Sequence, residues 1–254
     1  MSAKQPLLLL HGVSGSANMW SRVVPLLQAQ YEVLAPTALG HRGGSAATLR
    51  PVRFEHVVDD LVRMLDARGL ERVHAAGNSM GGWAALELAR RGRALSVCAL
   101  SPAGMWEING RDQRHAQRTL RTVAQQTRSS RKLLPWLVRF SLFRHVALRP
   151  TAAHGERVTG AEFLELSDDM IGCAALDDLL ATEEAFAPML ELTCPVTLAW
   201  SELDRILPLR TLGQRARTLM PAARFLVLPG VGHVPMLDDA QLVADTILAA
   251  TRAV

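Results

Sequence analysis

Two spacings of apolar residues take turns along this chain. Short runs are apolar at nearly every position, and the longer stretches between them are apolar at every third or fourth. Leu7-Leu8-Leu9-Leu10, closed by His11-Gly12, is a run of the first kind and predicts a strand buried on both faces of a parallel sheet. Asn18 to Gln28 has a helical pattern that Pro25 disturbs, and Tyr31 to Ala35, stopped by Pro36, predicts the next strand. Positions 54, 57, 58, 61, 62 and 65 are apolar within Phe54–Arg68, which is one face of a helix. A strand over Arg72–Ala76, a helix over Trp83–Arg90 and a strand over Leu95–Leu100 follow. Repeated β-α-β units of this kind imply a mainly parallel sheet with helices on both sides.

After Ser101 the alternation stops. From Met105 to Leu192 there are helical patterns and no convincing strand, and Thr159-Gly160-Ala161-Glu162 fits the capping box that starts a helix. The alternation resumes with a strand over Pro195–Trp200, a helix over Pro208–Met220, a strand over Arg224–Leu228 and a last helix over Asp238–Thr251. The predicted architecture is therefore α/β with about six strands. Its core comprises residues 1–104 and 193–254, and a helical insertion at 105–192 acts as a lid.

Composition narrows the class. With 49% apolar and 20% charged residues over 254 positions, the chain reads as a soluble globular protein able to bury a large core. The net charge is +4, but of 28 basic residues only Lys4 and Lys132 are lysines, a skew expected of a GC-rich genome. No nucleic-acid motif accompanies the charge, so no nucleic-acid partner is expected. Cys98, Cys173 and Cys194 are odd in number and lack ligand spacing, which predicts buried, reduced thiols. The stretch Met1–Pro6 before the leucines is too short for a signal segment and no run spans a bilayer, so the expected location is cytoplasmic, without stable membrane insertion. Within the insertion, Arg111 to Arg157 is rich in arginine, whereas Glu162 to Glu191 has nine acids and no Lys or Arg. One reading is a membrane-facing basic patch beside Leu133–Phe140; the other is two solvated faces of opposite charge that pair loosely.

The chemistry centres on Gly77-Asn78-Ser79-Met80-Gly81-Gly82, which lies between a predicted strand and a predicted helix. A strand that ends in G-x-S-x-G and turns at once into a helix is a nucleophile elbow, with the serine exposed at its tip. A serine nucleophile needs a base and a carboxylate to orient that base. Of the eight histidines, His233 stands in a Gly/Pro-rich loop after the last strand, while His11, His56 and His74 have structural explanations and His115, His145 and His154 fall in the insertion. For the acid, Asp204 follows the strand that starts at Pro195. Glu202 is its close rival, and Asp238 and Asp239 look like caps of the final helix.

The order Ser79, Asp204, His233, each after a strand, with His11-Gly12 after an early one, resembles the α/β-hydrolase superfamily over the whole chain except the insertion. The elbow and the place of the lid resemble those of lidded esterases and of carbon–carbon bond hydrolases. The resemblance implies a Ser79-His233-Asp204 triad and an oxyanion hole made by the Val13 and Met80 amides. It also implies an acyl pocket that Trp106, Trp136, Phe140, Phe163 and Met170 could line, although their helical spacing fits ordinary lid packing equally. Three positions depart from the pattern. Only ten residues precede His11, so the antiparallel strand pair is largely missing and the Tyr31 strand lies near an edge, a candidate homodimer surface. Thr37 stands where an Asp is expected, and Ser201 where a glycine is common.

The expected activity is hydrolysis of a small carboxylic ester. The alternatives are cleavage of a vinylogous diketone by the same triad, a lyase or perhydrolase on the same scaffold, and a ligand-binding protein with a residual triad. Metal, nucleotide and flavin motifs are lacking, so a small-molecule substrate and no cofactor are expected.

Overall fold

A computed structural model describes residues 4–252 of the chain. Its sheet has six strands, β1 (Gln5–Leu10), β2 (Tyr31–Leu34), β3 (Val73–Asn78), β4 (Ala94–Leu100), β5 (Val196–Ser201) and β6 (Arg224–Leu228). They lie in the order β2-β1-β3-β4-β5-β6, and every neighbouring pair is parallel. No antiparallel pair joins the sheet among the described residues, and β2 is an edge, as the shortness of the stretch before His11 led us to expect. The continuous leucines of β1 follow from two-sided burial. Leu8 and Leu10 pack with Val57, Leu61 and Leu86 on one face, while Leu7 and Leu9 pack with Trp20, Val243 and Ile247 on the other. Each fully buried leucine contributes about 2–3 kcal/mol relative to exposure, so this short strand anchors both halves of the core.

The helices differ from the periodic pattern where backbone or packing intervenes. Asn18 to Gln28 splits into a 3-10 turn, Ala17–Trp20, and a short helix, Val24–Leu27, with Pro25 in its first turn, where the missing N–H costs nothing. The segment Pro208–Met220 opens as a π-helical turn, Leu209–Gly213, before becoming α-helical at Gln214–Leu219. A Cβ on Gly213 would stand 3.3 Å from the Trp200 indole, so this turn hugs β5. Between β4 and β5 the described residues form helices Arg111–Ser130, Leu134–Leu137, Ser141–Leu148, Gly160–Gly172 and Leu176–Leu180, with no strand. Thr159 and Glu162 make the predicted capping box, each side chain taking the other's backbone N–H.

The acids of this helical segment do not pair loosely with its own arginines, as one reading of the sequence had it. They pair chiefly with arginines of the core: Glu162 with Arg22 at 2.5 Å, Asp169 with Arg42 at 2.8 Å and Asp178 with Arg50 at 2.7 Å. The one ion pair to the segment's own Arg or Lys residues is Arg131–Asp168 at 4.0 Å, among the described residues. The acidic run thus faces the sheet domain. Among the described residues no helix is long and apolar enough to cross a membrane.

Candidate active site

The elbow depends on two close backbone approaches. A Cβ on Gly77 would come within 2.1 Å of the Gly81 carbonyl, and one on Gly81 within 2.1 Å of the Leu10 carbonyl, so side chains are excluded at both. Ser79 caps the helix Met80–Arg90 at φ 56° and ψ −117°, a conformation that costs on the order of 1–3 kcal/mol for a non-glycine residue. Three hydrogen bonds hold it: Ser79 N donates to Leu100 O at 3.0 Å, and Ala103 N and Trp83 N donate to Ser79 O at 2.9 and 3.0 Å. The strain is therefore imposed by neighbouring strand and loop backbone.

His233 and Asp204 are buried and joined by a 2.7 Å hydrogen bond between Nδ1 and Oδ2. A carboxylate oxygen only accepts, so Nδ1 carries a proton, and in the neutral ring Nε2 is the acceptor. The other oxygen of Asp204 accepts from Ile206 N at 2.9 Å and Leu207 N at 2.7 Å, which fixes the plane of the carboxylate. Glu202 points elsewhere, accepting the Gly230 N–H at 2.8 Å on the exposed side of the loop. Its place nearer the strand end therefore puts it in the turn rather than beside His233.

Two supporting residues escaped the sequence reading. Asn78 is fully buried, and its amide donates to Leu100 O at 3.2 Å and His233 O at 2.8 Å, so the residue before Ser79 ties the His233 loop to β4. Its place inside the elbow motif was the available signal. Asp238, read as a helix cap, accepts the N–H groups of Gly232, Ala153 and His154 at 2.7 to 3.0 Å. Asp239 alone caps the last helix, Ala240–Thr251, through Leu242 N at 2.9 Å.

The loop carrying Val13 is held through His11. The Ala38 N–H donates to His11 Nε2 at 2.9 Å, so Nδ1 is the protonated nitrogen and donates to Gly12 O at 2.7 Å. Carbonyl and N–H of one trans peptide point in opposite directions, so holding Gly12 O aims the Val13 N–H the other way. Ser16 reinforces the loop by donating to buried Asp169 at 2.5 Å, and Thr37, where an Asp was expected, accepts the Ala17 N–H at 3.1 Å.

His11 is pushed down to about 3, first by burial and then by the nearby His41, with the Gly12 carbonyl opposing. An unfolded histidine titrates at about 6.5, so between these values the unfolded chain binds more protons than the folded one. The stability is present above pH ~6.5 and is lost as pH falls toward the folded value. At pH 5 His11 alone should cost about 2 kcal/mol. Urea midpoints at pH 7.5, 6 and 5 should fall steadily, and His11→Gln should flatten that trend. A midpoint constant over this range would contradict the assignment.

Two cavities meet at Ser79. The larger, of about 740 Å³, is walled by Ser79, His233, Phe143, Phe163, Leu166 and Met170 among others. The smaller, of about 60 Å³, is walled by Ser79, Met80, Trp83, Trp106, Leu179 and Ile206 among others, and Val13 lines both. Of the five predicted pocket residues, Trp106 lines the small cavity and Phe163 and Met170 the large one. Trp136 and Phe140 line neither cavity. They stack edge to face at 5.0 Å and are 59% and 50% exposed. The reason is helical phase: Leu134 and Val138, four apart, take the buried face, and Trp136 lies between them on the far side.

A family model described as the alpha/beta hydrolase family matches residues 7–246. The epoxide hydrolase EphH of Mycobacterium tuberculosis is 33% identical over 186 residues, covering 72% of this chain and 87% of that protein. Lipase 1 of Psychrobacter immobilis is 24% identical over 254 residues, covering 97% of this chain and 77% of the lipase. In structure, a thermophilic esterase from Thermogutta terrifontis is similar at a TM-score of 0.74 and 24% identity, covering 100% of this chain and 91% of that one, a likeness of fold.

Proposed function

Since the chain belongs to the alpha/beta hydrolase family, we propose that it is a serine hydrolase that cleaves a carboxylic ester through an acyl-enzyme on Ser79. The observation that carries the reading is the elbow serine sharing a cavity wall with His233, whose Nδ1 is held by Asp204. Ser79 Oγ attacks the ester carbonyl while His233 Nε2 takes its proton, and the new imidazolium lies against the Asp204 carboxylate. The oxyanion is met by the N–H groups of Met80, at the start of its helix, and Val13. The tetrahedral adduct expels the alkoxide, which takes the proton from His233 and leaves as the alcohol. Water then adds to the acyl-Ser79 carbonyl by the same proton route, releasing the carboxylic acid and restoring the serine.

The serine also separates this reading from epoxide opening, the activity in the name of the relative EphH. A carboxylate that opens an epoxide forms an ester, which water can cleave. A serine would form an ether, and the cycle would stop there. Ser79 therefore favours acyl transfer. In this reading residues 105–192 act as a lid, because their helices supply much of the large cavity's apolar wall.

A fluorophosphonate probe, which phosphorylates activated serines, is expected to label Ser79 alone and to abolish turnover of p-nitrophenyl acetate. Peptide mass mapping and residual rate would check this together. Label on another serine, or full activity after complete labelling, would overturn the proposal.

A further inference from the structure

The two cavities differ in what they share with His233. His233 lines the large one and not the small one, whereas Met80, whose amide is assigned to the oxyanion, lines the small one and not the large one. This asymmetry gives the ester a direction. In the collapse of the tetrahedral adduct, His233 must hand its proton to the leaving oxygen, so the alcohol portion has to lie on the imidazole side. The acyl substituent, on the opposite side of the carbonyl carbon, then enters the small cavity.

Size and wall chemistry decide what fits there. About 60 Å³ is less than half of the roughly 150 Å³ that accommodates benzene in an apolar cavity, which leaves room for a chain of two to four carbons. The walls are set against expansion. Trp83 stacks on Phe54 at 3.8 Å, Trp106 meets Trp83 edge on at 6.1 Å, and the Trp106 indole N–H donates to Glu184 O at 3.1 Å. The buried Gln113 holds Thr182 O at 2.9 Å and receives the Asn109 N–H at 2.6 Å, so its amide is tied to protein backbone. The large cavity has ample volume and a mainly aliphatic and aromatic wall.

We infer that the substrates are esters of a short, apolar acyl group with a large apolar alcohol, and that Trp106 limits the acyl length. This rests on the serine hydrolase reading of the same site. Two substrate series separate the halves of the molecule: p-nitrophenyl esters of increasing acyl length, and acetate esters from ethyl to decyl and naphthyl. Across the first, kcat/KM should fall about 100-fold from butyrate to octanoate, since methylenes that do not fit are rejected steeply. Across the second it should rise with the alcohol. Trp106→Ala should recover about tenfold or more on octanoate, and Trp106→Phe, a smaller perturbation of the fold, should recover less while moving the optimum the same way. A preference for octanoate, equal rates along the acyl series, or a preference for ethyl acetate would each overturn the direction assigned here. Fluorophosphonate labelling distinguishes the two levels. A labelled Ser79 with the wrong preference overturns only the sidedness, and an unlabelled, inactive protein overturns the hydrolase reading and this inference with it.

Discussion

Asp204→Asn is expected to lower kcat for ester hydrolysis by ~10⁴, with the melting temperature little changed. The environment of this carboxylate dictates the result. One oxygen faces two N–H donors, Ile206 N and Leu207 N, and the other faces His233 Nδ1. An asparagine has one acceptor and one donor end, and its NH₂ cannot face two backbone N–H groups. The amide oxygen must therefore take the loop, and the NH₂ must turn to His233. That forces Nδ1 to accept and puts the ring proton on Nε2, where the proposed mechanism requires a free lone pair. Glu202→Gln should change kcat less than about tenfold, because its oxygen can still accept the Gly230 N–H. Steady-state kinetics beside thermal melts would measure both. A crippled Glu202→Gln enzyme, or an unaffected Asp204→Asn enzyme, would remove Asp204 from the role assigned to it.

Replacing Ser79 by alanine should lose ~10³-fold or more of kcat, with KM changed far less. Alanine has the same Cβ and faces the same cost at φ 56°, and the backbone bonds to Leu100, Ala103 and Trp83 remain. The loss would therefore report the missing nucleophile rather than a collapsed elbow. The His233–Asp204 bond and the proposed oxyanion donors persist in the variant, so a residue of rate above the uncatalysed reaction should survive. Circular dichroism and kcat on one ester suffice. A variant retaining a tenth or more of the wild-type rate would mean that another group carries the acyl chain.

The parts of this molecule that were legible in its sequence are those decided locally. Four consecutive leucines before His-Gly, and G-N-S-M-G-G between a strand and a helix, carry their structure in their own spacing, and both stand where the pattern put them. Asp238 shows the opposite case. As a residue just before a helix it looked like a cap, yet its partners Ala153 and His154 lie 85 and 84 positions away, and no local pattern encodes such a pairing. The acids of the helical segment were likewise invisible as partners of Arg22, Arg42 and Arg50, because charge runs reveal composition and not which surface they meet. Asp204 and Glu202 were inseparable for a related reason. Two loop residues of the same chemistry differ only in the direction the backbone gives them.

The two hydrogen bonds of the Asn78 amide bear on how such a protein can diversify. Through them the end of β4 and the loop of His233 are fastened to the strand that presents Ser79, all within the sheet domain. Asp204 is oriented by its own loop, whereas the loop of His233 is also tied, through Val234 N to Thr151 O and through Asp238, to the stretch 151–154 that connects the helices between β4 and β5. Those helices supply Phe143, Phe163, Leu166 and Met170 to the cavity wall. Selection can accordingly rewrite the wall, and with it the range of molecules admitted, while the reacting groups keep their registration. A library confined to the wall positions Phe143, Phe163, Leu166 and Met170 should yield altered substrate range at a far higher frequency than dead enzymes, whereas an equal library at Asn78 should yield mostly dead ones.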